Sequence, residues 1–273
     1  MESIIERFRL VGQTAVVTGG AGLLGAEFCK TLAAAGARVG VLDQDLQGAE
    51  RVAADIRSFK SEAVAAGGDV TNPTSLQQAV SRIEGHLGDI GILVNSAALD
   101  PKFDPAHLEA ASQAFEDFPL TSWDQALRVN LTGTFLATQA IVPSMLRHGK
   151  GAIVNICSTY GLVGPDQRIY EDAGRPPRFK PVHYSVAKAG ILGFTRYLAA
   201  YYAGKNIRVN ALTPGGVFQD HDDEFVARYS SRTILGRMAE KSEMNAALLF
   251  LASEASSYVT GSNLVVDGGW TAW

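Results

Sequence analysis

Short apolar runs and amphipathic stretches alternate along most of this chain. Residues 14–18 (TAVVT) and 38–43 (RVGVLD) are strand-length apolar runs, while 26–35 and 46–59 place apolar positions at helical spacing. The same rhythm predicts strands at 63–66, 90–95, 152–157, 207–212 and 263–266, with helices at 73–87, 123–147, 184–202 and 242–251. Alternation of this kind needs crossover connections. It therefore predicts an α/β fold with one doubly wound, mostly parallel sheet and helices on both faces. No internal repeat interrupts the pattern, and 273 residues suit a single domain spanning 1–273.

Three stretches break the rhythm, at 99–122, 159–183 and 214–237. Each follows a strand, so all three are expected to meet at the carboxyl edge of the sheet, where open α/β folds bind ligands. They are the expected substrate loops.

Composition removes several classes of function. Hydrophobic residues make up 47% of the chain and charged residues 19%, the balance of a packed globule. The net charge of −4, with no basic run, argues against nucleic acid as a partner. No stretch is apolar for long enough to cross a bilayer, and the N-terminal ten residues do not read as an export signal. The two cysteines, Cys29 and Cys157, fall on a helix face and in a strand and read as small buried hydrophobes, which suits a reducing cytoplasm.

Candidate chemistry begins after the first strand. Gly19, Gly22 and Gly25 punctuate a turn that opens a helix, with Leu23 and Leu24 between them. Glycine lets the backbone approach a pyrophosphate, and the helix N-terminus offers N–H groups and partial positive charge. Asp43 ends the second strand, where a carboxylate can accept hydrogen bonds from the adenosine ribose and would repel a 2′-phosphate. The expected cofactor is therefore NAD(H), and Arg38 sits too early on that strand to favour NADP.

Tyr184 and Lys188 lie four residues apart where a helix begins, one turn apart on one face. A free tyrosine is a poor base at neutral pH, but a neighbouring ammonium group favours the phenolate and so suits the pair to acid/base work. With the glycine turn, Asp69 and Val70 after the third strand, Asn95 to Ala98 after the fourth, Asn130 in the long helix, Ser158 after the fifth, and Pro214 and Gly215 after the sixth, the chain resembles the short-chain dehydrogenase/reductase family from residue 14 to the VVDGG ending at 269.

That resemblance implies a Rossmann-like fold and roles for each residue. Asp69 and Val70 would flank the adenine, and Asn95, with Ser96 and Ala97, would lie against the ribose side. Ser158 would bind the substrate oxygen, Tyr184 would pass the proton, and Lys188 would hold the nicotinamide ribose. Asn130 would anchor a water that relays protons to Lys188, and Val217 would meet the nicotinamide amide. The resemblance also implies a homotetramer or homodimer built on the helices at 123–147 and 184–202. The chain departs from the family's pattern at three places: the turn reads TGxxGxxG with Leu23 at a motif glycine, Ser96 and Ala98 replace the more usual Asn and Gly, and the nicotinamide loop reads PGGVFQ.

The 159–183 loop is long for the family and carries Arg168, Arg175, Arg178 and Lys180 against Asp166, Glu171 and Asp172. A small positive excess suits an anionic substrate, since arginine grips carboxylates and phosphates in a fork. Thr159, Tyr160, Gln167, Arg168 and Arg178 are the expected substrate residues, with Lys102 and His107 as further candidates from the 99–122 loop. The chain is also similar to family members associated with flagellin or surface-glycan (nonulosonic acid) modification, which implies a polar acidic or nucleotide-activated sugar. Trp270 and Trp273 read as stacking platforms for a sugar or nucleotide, or equally as a buried C-terminal anchor at a subunit interface. An NAD-dependent sugar epimerase, a 3-oxoacyl-type reductase and a non-catalytic nucleotide-binding protein are the competing readings.

Overall fold

The computed structural model describes residues 3–99, 114–171 and 178–273. One sheet of seven parallel strands runs through it in the order β3-β2-β1-β4-β5-β6-β7. The strands are β1 (Thr14–Thr18), β2 (Arg38–Asp43), β3 (Ala63–Gly67), β4 (Ile92–Asn95), β5 (Gly151–Ile156), β6 (Ile207–Pro214) and β7 (Asn263–Val266). β1 and β5 are buried at every position, which is why they read as continuous apolar runs rather than alternating ones.

Eight α-helices cover the two faces among the described residues: α1 (Leu23–Ala34), α2 (Leu46–Ser58), α3 (Pro73–Leu87), α4 (Leu120–Leu127), α5 (Gly133–His148), α6 (Val182–Tyr201), α7 (Asp223–Ser230) and α8 (Asn245–Ala252). On one face Phe28, Leu32, Val52, Ile56, Leu248 and Leu251 pack from α1, α2 and α8 onto β1 and β2. On the other, Leu76, Ile83, Ile141 and Met145 pack from α3 and α5 onto Val16, Leu93 and Ile153. Polar residues set several helix starts. Asp45 accepts a hydrogen bond from the Gly48 N–H at 2.9 Å, and Asn72, ahead of Pro73 at the first helical position, accepts from Thr74 and Ser75 at 3.0 and 3.1 Å.

Three elements differ from the sequence expectation. The helix expected at 123–147 is divided: α4 and α5 are joined by a π-helical turn, Arg128–Thr132, which contains Asn130. Its last bond runs from the Gly133 N–H to the Arg128 carbonyl, one residue wider than α-helical spacing, a perturbation that often accompanies functional sites. The 214–237 stretch holds α7 instead of running as a loop, because Asp222 caps it by accepting from the Phe225 N–H at 2.8 Å and acidic residues fill its first turn. β6 also runs on to Pro214 rather than stopping at 212. Lys102 and His107 lie outside the described residues.

The strand order reverses between β1 and β4, so their carboxyl ends open a crevice at the sheet's topological switch point. There the Thr18 hydroxyl accepts from the Ser96 and Ala97 N–H groups, each at 3.2 Å, tying the glycine turn to the exit of β4.

Candidate active site

A cavity of about 960 Å³ follows the carboxyl edge of the sheet. Its floor at one end is the glycine turn. Gly19 has φ +65°, and a Cβ there would come within 2.7 Å of the Ala97 Cα; a Cβ on Gly25 would run into the Gly19 carbonyl oxygen. Both positions therefore need glycine, one for conformation and close approach, the other for packing of α1 against its own entry turn. Gly22, in extended conformation, caps α1, and Leu23, Leu24 and Gly25 form its first turn on the cavity wall. The opening N–H groups of a helix have no partner within it and face outward as an anion cradle.

Asp43 closes this end. One carboxylate oxygen accepts from the Ala21 N–H and the other from the Asp45 N–H, both at 2.9 Å, which fixes the side chain beside the turn. Asp69 and Val70 lie on the same wall. Arg38 is at the opposite end of β2, donating to the Gly12 carbonyl at 3.1 Å, and does not line the cavity. A cradle that excludes Cβ atoms, a helix N-terminus and an acid at the end of β2 fit an adenine dinucleotide.

At the far end, Ser158, Tyr184 and Lys188 line the same cavity. Ser158 leaves β5 in extended conformation and accepts the Tyr160 N–H at 3.2 Å, capping the short turn Thr159–Gly161. Tyr184 is in the first turn of α6, and Lys188 follows one turn deeper, buried, with its ammonium donating to the Ile156 carbonyl at 2.9 Å. The Lys188 Nζ is 5.8 Å from the centroid of the Tyr184 ring. Between Ser158 and the helix, the Cys157 thiol donates to the Lys188 carbonyl at 3.2 Å; burial pushes its pKa up and keeps it a structural thiol.

Pro214, Gly215 and Val217 also reach the wall, as do Ser96, Ala97, Thr159, Tyr160 and Arg178. Two residues expected in the site act from behind it. Asn95 is buried below the wall, donating to Thr138 Oγ1 at 3.0 Å and to Asn155 Oδ1 at 2.9 Å. Asn130 clamps the backbone beyond β4: its amide donates to the Leu99 carbonyl at 2.9 Å and accepts the Leu99 N–H at 2.6 Å. The π turn is what aims it there.

Three expectations are corrected. Arg168 does not line the cavity; its guanidinium forks onto both oxygens of Asp166 at 2.8 Å, on an exposed part of the loop, and holds that carboxyl down at about 2. Its fork is thus committed to its own loop. Gln167 is likewise off the wall, because its amide accepts the Lys180 N–H at 2.8 Å and donates to the Lys180 carbonyl at 3.2 Å. Of the two readings of Trp270 the stacking platform falls: it is buried within the chain, stacked on Tyr229 at 4.3 Å between ring centroids, so it presents no face to a sugar. Trp273 is exposed and donates its indole N–H to the Arg232 carbonyl at 3.0 Å.

Beyond Tyr160, the sequence alone does not single out the aromatic wall. Tyr160 and Tyr170 share a hydroxyl hydrogen bond of 2.8 Å, and Tyr229, from α7, accepts the Gly216 N–H. Burial pushes the Tyr229 phenol up, so it remains a neutral partner. Asp222 followed by acidic Asp223 and Glu224, with Arg228 in the last turn, is the sequence signal that marks α7.

Comparison with known proteins agrees with this geometry. Residues 20–271 match the family model described as Enoyl-(Acyl carrier protein) reductase. The chain is 36% identical to a D-threitol dehydrogenase of Mycolicibacterium smegmatis over 269 residues, covering 97% of this chain and 95% of that one. It is 35% identical to the galactitol 2-dehydrogenase (L-tagatose-forming) of Cereibacter sphaeroides, with 97% and 98% covered. Among solved structures, a gluconate 5-dehydrogenase from Burkholderia cenocepacia, in complex with NADP and tartrate, superposes with a TM-score of 0.85 at 30% identity, covering 99% of this chain and 100% of that one. No described helix is long and apolar enough to cross a membrane.

Proposed function

The chain belongs to the short-chain dehydrogenase/reductase family of oxidoreductases, and from that premise we propose that it interconverts a secondary alcohol and a ketone on a polyhydroxylated substrate with NAD(H). The observation that carries this reading is that Ser158, Tyr184 and Lys188 share one cavity with a glycine cradle closed by Asp43. The whole chain acts as one catalytic unit, with the 99–122, 159–183 and 214–237 segments around the substrate.

In the oxidising direction, the Ser158 hydroxyl holds the substrate oxygen and the Tyr184 oxygen takes the hydroxyl proton as the carbonyl forms. The nicotinamide supplies the two-electron acceptor for the carbinol C–H. Lys188, fixed by the Ile156 carbonyl, keeps a positive charge beside Tyr184 and would hold the nicotinamide ribose. Asn130 and Asn95 fix the β4 exit, which would border that ribose. The first turn of α1 would take the pyrophosphate, and Asp69 and Val70 would flank the adenine.

Asp43 supports NAD over NADP, although the superposed gluconate 5-dehydrogenase holds NADP. A carboxylate facing a 2′-phosphate costs several kcal/mol. NADH is therefore expected to bind at least about ten-fold tighter than NADPH in parallel fluorescence titrations, and equal or reversed affinities would refute the assignment of Asp43.

The polyols named for both relatives and the gluconate named for the superposed enzyme favour a free polyol or sugar acid; a nucleotide-activated or surface-glycan acidic sugar is the alternative substrate class. Arg178 on the cavity wall is the candidate for a substrate carboxylate. Replacing it by Ala is expected to raise KM for a sugar acid about ten-fold or more, from a lost charge-assisted bond of roughly 1.5–3 kcal/mol, while leaving KM for a neutral polyol in place. An equal effect on both classes would remove Arg178 from acid recognition. A 3-oxoacyl thioester, suggested by the acyl-carrier name of the family model, belongs in the same panel. Phe135, Val186, Tyr197 and Tyr201, exposed on α5 and α6, support assembly through those helices as a homotetramer or homodimer.

A further inference from the structure

Tyr184 has a second ammonium group against it. The Nζ of Lys180 is 4.1 Å from the centroid of the Tyr184 ring, nearer than the 5.8 Å of Lys188. Lys180 is 9% exposed and lines the cavity, so little water screens its charge from the ring. Its backbone is pinned: the Gln167 amide bonds both its N–H and its carbonyl, at 2.8 and 3.2 Å, across the long loop that precedes α6. Nothing in the spacing of Lys180 and Tyr184 requires this; it is a consequence of how the loop folds back onto itself.

Resting on the assignment of Tyr184 as proton acceptor, we propose that Lys180 is a positioning residue for the reaction, a second cation that acts through Tyr184 by favouring its phenolate. A cation over the face of a phenol is attracted to the neutral ring, and more strongly to the full negative charge that forms when the proton leaves. An opposite charge at this range moves a titration by one unit or more. With the ammonium groups of Lys180 and Lys188 at 4.1 and 5.8 Å from its ring centroid, Tyr184 works beside two positive charges, and the acid limb of the pH profile reflects both. Gln167, off the cavity wall, serves the site by holding Lys180 in place.

Other titratable groups share the cavity: Arg178 ahead of Lys180, Tyr160 and Tyr170 after β5, and Asp220, His221, Asp222, Arg228 and Tyr229 after β6. His183, next to Tyr184 in the chain, is buried with its ring 5.4 Å from that of Phe118. With an imidazole, His221, also on the cavity wall, activity alone does not isolate the ionisation of Tyr184. A direct reading of the phenolate avoids this.

The test is an ultraviolet titration of the purified full chain, in which wild type minus Y184F gives the ionisation of Tyr184. K180M minus K180M/Y184F gives the same quantity without the second cation, and K180Q serves as an independent neutral variant. The midpoint for Tyr184 is expected to rise by about one pH unit or more in K180M and K180Q, with the acid limb of kcat/KM moving alongside. K180R is expected to restore both. If the neutral variants lose turnover but leave the midpoint and the limb unmoved, Lys180 is only part of the wall and the inference is overturned. If Y184F itself turns over at the wild-type rate, the assignment of Tyr184 fails, and the inference falls with it for that separate reason.

Discussion

Y184F is expected to lose about a hundred- to ten-thousand-fold in kcat while binding NADH as tightly as the wild type. The substitution removes one oxygen and leaves the ring between Lys180 and Lys188, so the wall and the cofactor end keep their shape. What disappears is the atom that takes the proton from the substrate hydroxyl, and acid/base assistance of this kind contributes about 10²–10⁴ in rate. Steady-state kinetics, paired with a fluorescence titration of NADH, separates the two quantities. A variant with wild-type kcat would show that another group carries the proton. A variant that lost NADH affinity in equal measure would show that the hydroxyl serves binding rather than chemistry.

The second large effect belongs to the glycine turn. In G25A the added methyl group meets the Gly19 carbonyl oxygen, a backbone atom that cannot swing aside as a side chain would. Either α1 moves away from its entry turn or the turn itself opens, and Gly19 is already held close to Ala97 across the crevice. Overpacking of this kind costs roughly 1–3 kcal/mol, and any shift misaligns the N–H groups that would meet the pyrophosphate. The expected outcome is a Tm lower by several degrees and at least a ten-fold weaker NADH complex. Thermal unfolding with and without NADH reads both. A G25A protein with unchanged Tm and unchanged stabilisation by NADH would mean that the cradle is not where the dinucleotide lies.

The parts of this molecule that the sequence reveals are those set by local rules. Parallel strands buried on both faces are mainly apolar, so β1, β2 and β5 are legible as runs. Asp43 and the turn before α1 are legible because a strand end and a helix start fix where their backbone points. Tyr184 and Lys188 are legible as a pair because helical geometry alone stacks residues four apart.

The rest depends on contacts between distant segments. The π turn at Asn130 leaves no mark on the apolar spacing of 123–147, since it inserts a single wider bond into an otherwise helical stretch. Arg168 carries the right chemistry for an anion, but Asp166, two residues away, takes its fork first. Lys180 reaches Tyr184 only because Gln167 folds the loop back, and a pairing thirteen residues apart has no signature in a loop without periodicity. Trp270 suits either a stacking platform or a buried anchor by sequence, and only its stacking on Tyr229, from a helix that the loop-like 214–237 stretch conceals, decides for burial.

Transfer of the carbinol hydrogen tests the central claim most directly. A panel of polyols and sugar acids, each deuterated at a secondary carbinol carbon, would be incubated with the protein and NAD⁺, and the reduced cofactor examined by mass spectrometry. The account predicts that a substrate of this class delivers its deuterium to NADH in wild type and that Y184F forms the labelled product at least about a hundred-fold more slowly. Turnover that yields unlabelled NADH, or a panel that reduces NADP⁺ and leaves NAD⁺ untouched, would contradict it.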